Sequence, residues 1–188
     1  MTRPLRVQYP NAVYHVTCRG NEQKPIFRDD TDRGVFLKKL VESMDIYGVR
    51  LLTYVLMDNH FHLLLETPLG NLGEFMRRFN ISYTGYFNYR HQRSGHLYQG
   101  RYKSILVDKD HYLSVLSRYI HLNPIRTRLF AKASARDKSN HLRRYRWSSL
   151  AGYLDKRKKE SFIEYALVLG EYGGDTERGR RGYLKAID

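Results

Sequence analysis

Cysteine is almost missing from this 188-residue chain, where Cys18 stands alone. One thiol closes no internal disulfide and supplies no multi-cysteine metal site, which excludes a disulfide scaffold and a zinc ribbon. Long apolar runs are missing too: charged or turn residues interrupt each one before the roughly 18 residues that a membrane span requires. The opening MTRPLRVQYPNAVYHV holds no apolar leader core and no small-residue cleavage site, so a soluble, intracellular protein is expected. Nor does any repeat suggest a solenoid. Acid is the last scarcity. Nineteen Asp+Glu stand against 33 Lys+Arg, a formal charge of +14. Such an excess points to a polyanionic partner, because neutralising phosphates releases condensed counterions.

What is present suits one domain with a sizeable core, since 41% of the residues are apolar and 13% aromatic. AVYHVTCR (12–19) alternates and is β-prone, which predicts a first strand. DDTDRGVFLKKLVESMDIYG follows with acidic residues at a helix start, then Phe36, Leu37, Leu40, Val41 and Met44 at helical spacing, and Gly48 as a stop. VRLLTYVLM is a second strand, and Asp58-Asn59 turns it into a third, HFHLLLE. A second amphipathic helix spans 71–93 with Leu72, Phe75, Met76 and Phe79 inward. GRYKSILV reads as a fourth strand, and DKDHYLSVLSRYIHLNP as a third helix ending near Asn123-Pro124. The order β-α-β-β-α-β-α predicts an α+β domain, an antiparallel sheet backed by helices and close to the ferredoxin-like, split βαβ motif. The core is expected over 1–125. A basic, partly helical C-terminal extension is expected over 126–188, with SFIEYALVLG helical and YGGDTERGRRG a Gly-rich link or tail.

His60 and His62 flank Phe61. Residues two apart on a strand share a face, so the two imidazoles project together while Phe61 and Leu63 point the other way. Paired neutral imidazoles can hold one divalent cation, yet H-x-H is common and two ligands leave such a site short. Tyr119 and Asn123, four apart on the third helix, also share a face. A phenol can attack phosphorus, and an amide oxygen one turn later can complete a metal site. Without further context, a tyrosine in a chain with sixteen of them and an Asn before Pro are equally ordinary.

Three segments in order, MDNHFHLLLE, GRYKSILVDKD and YLSVLSRYIHLNPIR, make the chain resemble the single-tyrosine HUH transposases, most nearly the REP-associated tyrosine transposase branch. The resemblance runs from about Val13 to about Leu150. It implies that His60 and His62 are the HUH metal pair, that Asn123 is the polar third ligand, and that the ion is Mg²⁺ or Mn²⁺. It implies that Tyr119 is the nucleophile, which attacks single-stranded DNA, keeps a 5′-phosphotyrosine and releases a 3′-OH. Single-stranded or hairpin (REP-like) DNA is the partner so implied, no membrane is involved, and the location is cytoplasmic and nucleoid-associated. Some relatives share active sites across a homodimer by exchanging the tyrosine helix, whereas the REP-associated branch is compatible with a monomer.

For DNA contacts the best candidates are Arg19 and Asn21 of the RGN stretch, Arg77-Arg78, and Arg101 with Lys103, each set near aromatics such as Phe79, Tyr98 and Tyr102. Single strands favour that mixture, because bases stack on rings while cations track phosphates. Arg143-Arg144 and the Lys156–Lys159 cluster suit the phosphates of a duplex stem. His15 is expected to be a satisfied structural histidine, although it would face the site if the first strand neighbours the third; His121 is excluded as a ligand by its helical face, and His91, His96, His111 and His141 are expected at the surface. Cys18 is expected to be a packed small residue. Three functions fit these residues: a tyrosine strand transferase, a catalytically silent DNA or RNA hairpin-binding protein, and a nuclease in which metal-activated water attacks.

Overall fold

A computed structural model describes residues 7–109 and 112–187; His111 lies outside them. Strand β1 (Ala12–Arg19) leads through a short loop to helix α1 (Asp30–Tyr47), then to β2 (Arg50–Met57) and β3 (His60–Thr67). Helix α2 (Leu72–Arg90), strand β4 (Lys103–Val107) and helix α3 (Leu113–His121) follow. The Asp29 carboxylate accepts from the Asp32 N–H at 3.0 Å and starts α1. Gly48, in the left-handed region at φ 63°, ends it.

The sheet is antiparallel throughout, in the order β2-β3-β1-β4, which is the split βαβ arrangement. Its two faces sort the side chains by parity. One face carries Tyr14, Val16, Cys18, Phe61, Leu63 and Leu65, all buried under α1 and α2, where Phe61 meets the rings of Phe36 and Phe79. The other face carries His15, Thr17 and Arg19 on β1, His60, His62 and Leu64 on β3, and Lys103 and Ile105 on β4. Helix α3 lies across this second face. Because both faces are covered, β3 reads as a nearly continuous apolar run.

The chain beyond 125 returns to the open edge of β2. Leu56 N–H donates to the Trp147 carbonyl (2.9 Å), Ser149 N–H to Tyr54 (3.1 Å) and Glu164 N–H to Leu51 (2.8 Å). Helices α4 (Ala135–Arg144), α5 (Leu150–Leu154), α6 (Ala166–Leu169) and α7 (Glu177–Ile187) fill this region. Two expectations change here. The helix expected over 161–170 is the single turn α6. The expected Gly-rich tail turns at Gly173 and Gly174, both at positive φ, and becomes α7, which buries Tyr183 and Ile187 four residues apart. Its dense Gly and Arg content hides that narrow apolar stripe.

Tyr183 is the anchor. Its hydroxyl lies 2.7 Å from His121 Nδ1 and 2.8 Å from Ser117 Oγ, and His121 Nε2 lies 2.8 Å from Ser149 Oγ. Ser117 Oγ continues to Thr53 Oγ1 at 2.9 Å. This buried polar chain pins α3 to β2 on one side and to α7 on the other. His121 is fully enclosed, which lowers its pKa to about 3 and keeps it neutral.

Candidate active site

Strand β3 delivers His60 and His62 to one face with ring centroids 5.1 Å apart. Across β1, Thr17 pairs with His62 and Arg19 with His60. Helix α3 buries Leu113, Leu116, Ser117, Ile120 and His121, and this leaves Tyr119 on its outer rim, 37% exposed. The Tyr119 ring stands edge-on to His62 at 6.1 Å and to His15 at 6.2 Å between centroids. Pro124 follows the end of α3, where Asn123 Nδ2 donates to the Tyr119 and Ile120 carbonyls at 2.9 and 3.2 Å. That nitrogen satisfies the helix end, so Oδ1 is the atom Asn123 has to offer a cation.

His60, His62, Tyr119 and Asn123 line one cavity of about 540 Å³, together with Arg19, Arg101 and Lys103. The loop behind Arg101 is tied in by Gln99 N–H, which donates to the Arg19 carbonyl at 2.8 Å. Gly100 takes φ 75° there, so the fourth strand begins at Lys103 rather than at Gly100. Gly20 is required beside it, since a Cβ would run into the Lys24 carbonyl. Asn21 is exposed one residue past Gly20, whose backbone bridges to Tyr98 on the cavity wall. Arg77 and Arg78 are exposed on α2, behind the opposite face of the sheet, and do not reach this cavity. Arg143 and Arg144 are exposed on α4, which packs against the 123–125 turn.

The hydrogen bonds orient both histidines. Asn59 Nδ2 donates to the Gln23 carbonyl at 2.9 Å, so its Oδ1 must be the atom 2.7 Å from His60 Nδ1. A carbonyl oxygen only accepts, hence His60 carries its proton on Nδ1 and leaves the Nε2 lone pair open. His62 Nδ1 lies 2.8 Å from His15 Nε2; with that proton on His62, its Nε2 is likewise open. Burial lowers the pKa of His62 to about 3 and that of His15 to about 4, and burial together with Arg19 lowers that of His60. All three rings are therefore neutral near pH 7, the form that can ligate. An imidazole whose second nitrogen is held by a neighbour is the usual arrangement of a metal-binding histidine. Among the described residues no trio of His, Cys, Asp or Glu is arranged to hold a metal ion. The donor set here is two imidazole nitrogens and one amide oxygen, which fits a divalent cation with positions left for phosphate oxygens and water.

His15, expected first as a satisfied structural histidine but able to face the site if β1 neighbours β3, does face it: β1 pairs with β3, and His15 bonds His62 and stands edge-on to Tyr119. One group escaped the sequence reading. Arg126 sets its guanidinium 4.6 Å from the centre of the Tyr119 ring, and no sequence signal marks it. Two other histidines depart from expectation. His91 is largely buried and bonds the Asp32 carboxylate at 2.9 Å, and the His141 ring packs at a tilt against Phe130 and Tyr145. His96 is exposed and Cys18 is packed, as expected.

Residues 8–123 match the family model described as "Transposase IS200 like". No curated protein matches the chain. Among solved structures, one described as the REP-associated tyrosine transposase bound to a REP hairpin aligns with a TM-score of 0.64 at 10% identity, over 89% of this chain and 93% of that one. A transposase candidate from Deinococcus radiodurans R1 aligns with a TM-score of 0.45 at 18% identity, over 63% of this chain and 95% of that one.

Proposed function

This chain belongs to the IS200-like transposase family, and from that premise we propose that it nicks and rejoins single-stranded DNA through Tyr119. The observation that carries this reading is the meeting of Tyr119, His60, His62 and Asn123 in one cavity rimmed by Arg19, Arg101 and Lys103. The Tyr119 Oη–P bond forms as the P–O3′ bond breaks, the phenol loses its proton, and the departing 3′-oxygen gains one. The product pair is a 5′-phosphotyrosine and a free 3′-OH. Attack by another 3′-OH reverses the step and joins strands. His60 Nε2, His62 Nε2 and Asn123 Oδ1 would hold Mg²⁺ or Mn²⁺, which when bound polarises the scissile phosphate and offsets its growing negative charge. His15 steadies His62, and Arg126 braces the Tyr119 ring. Arg19, Arg101 and Lys103 draw in the strand's phosphates.

The same fold in a protein bound to a REP hairpin supports hairpin DNA as the substrate. Exposed Asn21, Arg143 and Arg144 flank the cavity and the Asn123 turn, where a stem would lie; Arg77 and Arg78 would meet DNA that wraps behind the sheet. Incubating the protein with hairpin oligonucleotides bearing single-stranded flanks, with Mg²⁺ or Mn²⁺, tests the proposal. A covalent protein–DNA adduct is expected, lost in Tyr119→Phe and in His60→Ala. Cleavage that survives Tyr119→Phe would instead mean attack by water, and binding without cleavage a silent hairpin-binding module.

A further inference from the structure

On the far side of Tyr119 from His60 lies a second cavity, of about 860 Å³, between the free edge of β4 and helix α3. Its walls are mostly apolar and open: Ile105 is 64% exposed and Tyr112 55%, with Leu106 and Val115 beside them and the Asp108 carboxylate at one end of β4. Ile105 pairs with His15 across the sheet, so it sits beside the imidazole that bonds His62. Tyr119 and His15 line this groove, and Tyr119 also lines the catalytic cavity, so Tyr119 is the wall between the two. Two cations lie at the groove. Arg126 lies over Tyr119 and pairs with no carboxylate among the described residues. Arg118 donates through Nη1 to the Ala186 carbonyl at 3.2 Å, while its buried Nε has no hydrogen-bond partner among the described residues.

Apolar and aromatic walls with arginines beside them suit an unstacked base and its phosphate, since any base offers a π-face to a ring or an aliphatic floor. A strand whose scissile phosphate sits at Tyr119 must pass along this groove or along the cavity holding His60. We infer that the β4–α3 groove is a nucleobase subsite, which takes the base of a nucleotide flanking the phosphate attacked by Tyr119. Ile105, Tyr112 and Val115 hold the base, and Arg118 and Arg126 meet the backbone. The inference rests on the strand-transfer reading, and it adds a place where the enzyme selects its cleavage position.

The test uses Tyr119→Phe protein, which retains the DNA, and a hairpin oligonucleotide whose single-stranded flanks carry one abasic site, moved position by position. At one position near the cleavage point the abasic site should weaken binding by roughly tenfold, the loss of one stacked base. In Ile105→Ser/Tyr112→Ala protein the intact oligonucleotide should bind that much more weakly, and the abasic site should then cost nothing further. Both residues are exposed, so melting temperature should hold; Val115→Asn gives an independent version of the same cycle. Equal abasic losses in the parent and the groove variant, at every position, would overturn the subsite alone. A concentration-dependent dimer broken by Ile105→Ser without any such coupling would assign the groove to a second copy. Absence of hairpin binding by the wild-type chain would overturn the strand-transfer reading and the subsite together.

Discussion

Tyr183→Phe removes one oxygen from the centre of the buried chain that holds α3 in place. In the folded protein that hydroxyl serves His121 Nδ1 at 2.7 Å and Ser117 Oγ at 2.8 Å, and the residue is wholly enclosed. His121 is neutral, with Nε2 bonded to Ser149 Oγ, so the change takes from Nδ1 the hydroxyl that pairs with it. A buried donor or acceptor left without its partner costs about 1–3 kcal/mol. Ser117 keeps Thr53 as a partner, so its loss is that of one ordinary hydrogen bond, about 1 kcal/mol. The sum, about 3 kcal/mol, is a large share of the stability of a domain this size but leaves it folded. At about 2–4 °C per kcal/mol for chains of this length, Tm should fall by roughly 6–12 °C. Calorimetry and urea unfolding measure it, and Ser117→Ala on top should add less than it does alone, because the two changes share a bond. A Tm within about 2 °C of wild type would refute the reasoning, since the polar chain would then carry no weight.

Stability should also fall as the medium turns acid. The folded-state pKa values of His15 and His121, about 4 and about 3, lie below the ordinary value near 6.5. Between those limits the unfolded chain binds protons that the folded chain refuses, so the stabilisation is present above about pH 6.5 and lost as pH drops toward 4. From pH 7 to pH 5 each imidazole should remove on the order of 1–2 kcal/mol, read as a falling urea midpoint in metal-free buffer; a flat midpoint would contradict it. DNA affinity should drop steeply with salt. Arg101→Ala and Lys103→Ala should each lower the log–log slope by roughly 0.7, the share of one single-strand phosphate. Arg77→Ala, behind the sheet, should change it less, and a larger change there would place the strand on the other face.

The fold was legible where local periodicity and tertiary demand agree. In α2 the inward set Leu72, Phe75, Met76 and Phe79 is extended by Tyr83 and Phe87 at the same spacing, and all six are buried. Strand β3 was legible for a different reason: its length and flanking turn marked a strand even though both faces are covered. The C-terminal region resisted because its logic is long-range. Nothing local announces that Trp147, Ser149 and Glu164 will lie along β2, a hundred residues upstream, or that Tyr183 will bond His121. Helix α7 is held by those partners rather than by composition, so a Gly- and Arg-rich stretch looks like a tail until its neighbours are known.

The candidate site shows the same division at finer grain. His60 and His62 share a face by strand parity, and Tyr119 and Asn123 share one by helical spacing, so each pair is local. What joins the pairs is the placement of α3 across β3, and that placement is set by Ser117, His121 and Tyr183 on the hidden side of the helix. Turning α3 by one residue, about 100° for 3.6 residues per turn, would bury Tyr119 and expose His121. The neutral, fully enclosed His121 therefore shapes the candidate site without lining it: its two bonds fix the rotation that puts the phenol at the cavity rim. Sequence reading could set His121 aside as a ligand but could not assign this role. The role depends on Tyr183, 62 residues away, in a segment whose composition gives no hint that it belongs to the core.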